Sequence, residues 1–68
     1  SKTYSQKMLG TTQKVLIEGF SVKTPKELYG RSDNNKIVNF PSAKNMIGKF
    51  TNVMITEIRT NTLYGEIV

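Results

Sequence analysis

"LYGRSDNNKIVNF", residues 28 to 40, sets two short runs of alternating character on either side of Asp33, Asn34 and Asn35. Asx residues tolerate the positive φ that a tight turn demands, so the stretch reads as a β-hairpin with strands over residues 28 to 32 and 36 to 40. Successive side chains point to opposite faces of a strand, which turns Val38 and Phe40 inward together. Gly30 lies inside the first run, where glycine marks a bulge, a barrel bend or a close backbone approach; Gly65 holds the same position in a later run. The hairpin is also more polar than a hairpin needs to be, with Arg31, Asn34, Asn35, Lys36 and Asn39 crowded into it.

The flanking sequence extends the pattern. "TQKVLIEGF", residues 12 to 20, is rich in β-branched and aromatic residues, with Val15 and Ile17 on one face and Lys14 and Glu18 on the other. Residues 41 to 49 carry Pro41 and Gly48 and read as a loop with room for one helical turn. Phe50 to Arg59 is the longest β-like run, with Val53 and Ile55 facing in and Met54 facing out. "TNT" then turns the chain into residues 63 to 68, where Leu63, Gly65 and Ile67 share a face. Near the N-terminus Tyr4, Met8 and Leu9 stand at loosely helical spacing and Gly10 can stop a helix. Residues 1 to 11 read as a tail and residues 12 to 68 as the folded domain. The expected fold is all-β: five strands in a small, closed or nearly closed antiparallel barrel, because a flat sheet of this size leaves edges unpaired and one face uncovered.

Composition narrows the function. A chain of 68 residues is one domain at most and buries only about 60% of the surface its unfolded form exposes. Cysteine and histidine are both absent, which removes disulfides, thiolate and imidazole catalysis, and thiolate- or imidazole-ligated metal sites. The five acids, Glu18, Glu27, Asp33, Glu57 and Glu66, are scattered over strands and turns and read as solvated carboxylates rather than an acid/base pair. No stretch approaches the roughly 18 apolar residues of a membrane span, and no signal-peptide apolar region opens the chain, so a soluble, cytoplasmic protein without membrane partners is expected. Ten Lys and Arg against five acids leave a net charge of +5, which favours a polyanion as partner, nucleic acid before membrane.

The candidate contact residues follow from that charge. Lys14, Lys23, Lys26, Arg31, Lys36, Lys49 and Arg59 either gather on one side of the barrel as a phosphate-contacting surface or spread evenly as a solvated one. Tyr29, Tyr64 and Phe20 offer π faces to unstacked bases, although Phe20 suits a core position equally and Tyr29 can brace a strand pair. Asn34, Asn35, Asn39 and Asn61 carry amides able to meet base edges, while asparagines in turns commonly serve the backbone instead.

Taken together, "GTTQKVLIEGFS" (residues 10 to 21), "GRSDNNKIVNF" (30 to 40), "IGKF" (47 to 50) and "VMITEIRTNTLYGEIV" (53 to 68) resemble the C-terminal TRAM domain of radical-SAM tRNA methylthiotransferases. The resemblance runs from about Tyr4 to Val68, with "QKML" matching the end of a preceding catalytic region. Its specificity lies in the order Gly30-Arg31, Asn34-Asn35, Val38, Phe40, Ile47-Gly48, Leu63, Gly65-Glu66. It implies an OB-like barrel that binds tRNA and presents the N6-isopentenyladenosine beside the anticodon to catalytic domains elsewhere for 2-methylthiolation. Those domains would carry two iron-sulfur clusters of the 4Fe-4S type and S-adenosylmethionine; this chain would hold no cofactor and do no catalysis. Arg31, Asn34, Asn35, Lys36 and Asn39 fall in the family's most characteristic segment, and Lys14, Lys23, Arg59, Asn61 and Tyr64 on flanking strands and loops; RNA contact is inferred for them from chemistry and placement.

Two positions depart from the family pattern. Tyr64 stands where relatives often have arginine, exchanging a phosphate contact for a stacking surface, and Ser42 stands where glycine is common after proline. The implied partners are tRNA and, within the same polypeptide, the upstream catalytic domains, with the domain monomeric. A rival reading makes the barrel a protein-interaction module that grips a protein substrate. A third has it pack chiefly against its own catalytic domains through Met46, Met54 and the segment from Tyr4 to Leu9.

Overall fold

A computed structural model describes residues 2–24 and 26–68, with side chains from Ser5 onward, so the expected contribution of the Tyr4 side chain lies outside the described residues. One short helix, α1 (Lys2–Met8), precedes five strands: β1 (Thr12–Phe20), β2 (Glu27–Ser32), β3 (Ile37–Pro41), β4 (Phe50–Ile58) and β5 (Leu63–Ile67). The strands close into a barrel in the order β1-β2-β3-β5-β4. Four neighbouring pairs are antiparallel, but β3 and β5 run parallel, with Val38 opposite Leu63 and Asn39 opposite Tyr64. This corrects the antiparallel expectation at one seam. Strand directions must alternate around an antiparallel ring, and a closed ring of five cannot alternate throughout.

The inward face matches the alternation read from the sequence. Val15, Ile17, Leu28, Val38, Phe40, Val53, Ile55 and Leu63 are each no more than 2% exposed and form the core. A ninth member is Met8: α1 ends against the barrel and places this side chain in the core, which a tail would not do. The helix stops as its sequence suggests, with Gly10 at φ +81° and the Thr11 hydroxyl donating to the Met8 carbonyl at 2.6 Å. Gly10 N–H then donates to the Ile55 carbonyl at 2.8 Å and fastens the segment to β4.

Two glycines let so small a ring close. A β-carbon at Gly30 would lie 2.2 Å from the Leu16 carbonyl oxygen, and one at Gly65 would lie 2.2 Å from that of Met54. Each faces the residue before a register shift, Ile17 in β1 and Ile55 in β4, so the bulges and the glycines together coil the two strand pairs sharply.

Three apolar positions take places that alternation along the strands does not give. The β1 bulge brings Phe20 opposite Leu28, in phase with the core, yet Phe20 ends its strand at the barrel rim and stays 50% exposed. Ile67 is opposite Val53 but lies at the end of β5, where nothing covers it, and is 39% exposed. Met46, expected on an exposed interface, packs against the core from the loop between β3 and β4.

Candidate nucleic-acid interface

The parallel seam determines which loops meet. Because β3 and β5 run in the same direction, the turn that enters β3 (residues 33–36) and the turn that enters β5 (residues 59–62) lie side by side at one end of the barrel. Between them is a cleft of about 270 Å³, lined by Lys36, Arg59, Thr60, Asn61 and Thr62 with Ile37, Ile58 and Leu63 beneath and Ser5 of α1 at one side. Three residues singled out from the sequence, Lys36, Arg59 and Asn61, thus come from distant positions to one place. The threonines of "TNT" and Ser5 were not singled out; they line the cleft because the two turns and α1 converge there.

Arg59 is held on two sides. Its Nε donates to the Glu57 carboxylate at 2.5 Å, and its guanidinium lies over the Tyr64 ring at 4.1 Å from the centroid. The hydrogen bond that Arg59 donates to Glu57 raises the guanidinium pKa above its ordinary value, so it is a permanent cation held in a fixed plane. The turn beneath it is closed by Arg59 N–H donating to the Thr62 carbonyl at 2.8 Å.

The asparagines of the hairpin divide by role. Asn35 takes the positive φ, at 63°, and its side-chain oxygen accepts from Arg31 Nη1 at 3.2 Å. Asn34 turns inward: its Oδ1 accepts from the Ser32 hydroxyl, and its Nδ2 donates to the Met8 sulfur at 3.4 Å. Ser32, only 5% exposed, also accepts from Lys36 N–H at 3.1 Å, so the turn is stitched from inside. The amides of Asn34 and Asn35 therefore act within the protein. Asn39 is different. It lies on the outer face of β3 between Tyr29 of β2 and Tyr64 of β5, and among the described residues its carboxamide has no hydrogen-bond partner.

The remaining predicted residues lie elsewhere. Arg31, on the outer face of β2, is paired with Glu18 of β1 at 3.3 Å, and Lys14 of β1 lies over the Phe50 ring at 4.7 Å. Lys14 belongs to the wall around the β1–β4 seam, which also exposes Leu16, Phe50 and Met54, while Arg31 stands opposite Leu16 on β2 with its Nη1 on Asn35 of the turn that borders the cleft. Lys23 is exposed in the loop from β1 to β2, at the end of the barrel opposite the cleft, where Lys26 and Lys44 flank a hollow lined by Phe20 and Pro41. The basic residues placed above thus lie at both ends of the barrel and on the wall between them rather than on a single face.

Comparison with known proteins accords with this architecture. The family model described as TRAM domain matches residues 6–68. The chain is 58% identical over 63 residues to a tRNA-2-methylthio-N(6)-dimethylallyladenosine synthase of Buchnera aphidicola, covering 93% of the chain and 14% of that relative. It is 53% identical over 66 residues to the synthase of the same name from Nitrosospira multiformis, and 52% identical over 65 residues to that of Shewanella frigidimarina, covering 97% and 96% of the chain. In both cases it again spans 14% of the relative's length, so it corresponds to one small domain of a much larger enzyme. On the match of fold, motif order and sequence over almost its whole length, the chain belongs to the TRAM domain family, in the form found in tRNA methylthiotransferases.

Proposed function

We propose that this barrel is the RNA-holding domain of a tRNA methylthiotransferase and positions the anticodon arm so that catalytic domains elsewhere in the cytoplasmic enzyme can 2-methylthiolate the N6-isopentenyladenosine. The observation that carries this reading is the cleft where Lys36, Arg59 and Asn61 converge between two turns, on a domain of net charge +5. A permanent planar cation beside a lysine and several hydroxyls suits phosphate and ribose, the groups that an RNA backbone displays at every step. The chain itself fits no iron-sulfur cluster. It has no cysteine, and among the described residues no three of His, Cys, Asp and Glu stand together. This reading leaves sulfur insertion to other domains and gives this chain binding and orientation.

A second observation favours a protein contact on a different side. Leu16, Phe50 and Met54 are exposed along the β1–β4 seam, and β3 lies diametrically across the ring from that seam. The seam suits the face that meets the enzyme's own catalytic domains, leaving the β3–β5 side for RNA. Nuclear magnetic resonance titration of the labelled chain with an anticodon stem-loop tests the assignment. Shifts clustered on residues 36 and 59–64, weakening steeply with salt, are expected. Shifts confined to the seam, or binding indifferent to salt, would refute it.

A further inference from the structure

Three outward side chains stand in one row across neighbouring strands: Tyr29 on β2, Asn39 on β3 and Tyr64 on β5, paired in register Tyr29 to Asn39 and Asn39 to Tyr64. At the spacing of adjacent strands the row spans about 10 Å. All three are half-buried. Tyr29 can lie flat because its neighbour on β1 is Gly19, where an added β-carbon would meet the ring at 3.0 Å. At the far end Arg59 lies over the Tyr64 ring, which extends the platform by one guanidinium plane and joins it to the basic cleft. Among the described residues neither tyrosine hydroxyl nor the Asn39 carboxamide has a hydrogen-bond partner within the protein. The wall therefore combines a flat π surface, a donor and acceptor pair and an adjoining cation.

We propose that this row is a subsite for one unpaired nucleobase of the bound RNA, beside the phosphate grip of the cleft and sharing Arg59 with it; the proposal rests on the RNA-binding reading above. The base stacks on Tyr29, Asn39 meets its hydrogen-bonding edge, and Arg59 on Tyr64 takes the adjoining phosphate. Only an unpaired base can use the site, since a base inside an A-form helix has its faces stacked and its edge paired. The occupant is a loop nucleotide rather than a stem, and the row gives the domain a preference that charge alone cannot give.

Binding of the chain to two fluorescent RNAs of equal length, an open-loop hairpin and a blunt duplex, measures that preference by anisotropy. Tyr29→Leu keeps bulk but removes the π face, and should weaken the hairpin about tenfold while changing the duplex less than about twofold. Tyr29→Phe should leave both within about twofold. Gly19→Ala presses the Tyr29 ring outward by a few tenths of an ångström without altering an atom that meets RNA, and should weaken the hairpin selectively but less than Tyr29→Leu does. Asn39→Ala should do the same and, lying on the outer surface, remains informative if Tyr29→Leu melts early. Equal losses on both RNAs, or none on either, would overturn the subsite and leave the RNA-binding reading standing. Failure of the unsubstituted chain to bind either RNA at low salt would overturn both.

Discussion

Gly30→Ala tests whether close approach at the coiled strand pair is what permits closure of a five-stranded ring. The added β-carbon would lie 2.2 Å from the Leu16 carbonyl oxygen and 2.6 Å from Val15 Cγ1. Carbon and oxygen settle no closer than about 3.3 Å, so β1 must retreat by about 1 Å at that point. The displaced stretch pairs on both sides, Val15 and Ile17 with β2 and Leu16 with Phe50 of β4, and it cannot move from one partner without straining against the other. Losing two ladder hydrogen bonds costs about 2 kcal/mol and overpacking adds about 1 to 3 kcal/mol, for a total of about 3 to 5 kcal/mol. A domain of this length has only about 3 to 10 kcal/mol of stability in all. The melting temperature, followed by far-ultraviolet circular dichroism, should therefore fall by at least about 12 °C. Gly10→Ala provides the control: its φ of +81° is strained for alanine, but no atom lies within 4 Å of the new carbon, so the loss should be about 1 kcal/mol. A Gly30→Ala variant no less stable than Gly10→Ala would refute the reasoning.

Met8→Ala should cost about 2 to 4 kcal/mol in urea denaturation and undock α1, because it leaves a void among buried neighbours and removes the sulfur that Asn34 contacts; a change under about 1 kcal/mol would show that the helix is peripheral. Ser32→Ala should cost about 1 to 2 kcal/mol and loosen amide exchange at Lys36, whose N–H loses its acceptor. Glu57→Gln removes the carboxylate that holds Arg59 and raises the net charge from +5 to +6, so RNA should bind more tightly and with a log-log salt slope steeper by up to about 0.9. An unchanged slope would show that Arg59 does not meet phosphate.

Much of the fold is legible in the residues because strand burial has a period of two. Val15 with Ile17, Val38 with Phe40, and Val53 with Ile55 all point inward as their spacing requires. Gly30 and Gly65 were readable as bends for the same reason, since glycine inside a run of β-branched residues weakens a strand unless something needs the space. The places where alternation misleads are local. A bulge shifts the phase after Ile17, and strand ends run past the core, which leaves Phe20 and Ile67 half exposed despite inward registers. The candidate site was less legible. Asn34 and Asn39 are five residues apart in one polar segment, but one bonds inside the protein and the other faces outward without a partner.

The sequence alone determines most of the inward set of side chains, the turn at Asn35, the basic charge and the lack of cysteine and histidine, because these depend on residue type and short-range spacing. Its motif order determines the family for the same reason, being a pattern along the chain. What only the tertiary structure decides is which of the ten basic residues act together. An odd number of strands forces one parallel seam, and that seam places the turn before β3 against the turn before β5. Lys36 and Arg59, more than twenty residues apart along the chain, become the two cations of one cleft, while Arg31, close to Lys36 in sequence, does not line it and is held by Glu18 and Asn35 on the outer face of β2. Ring closure is a constraint on all five strands at once, and no local stretch of sequence contains it.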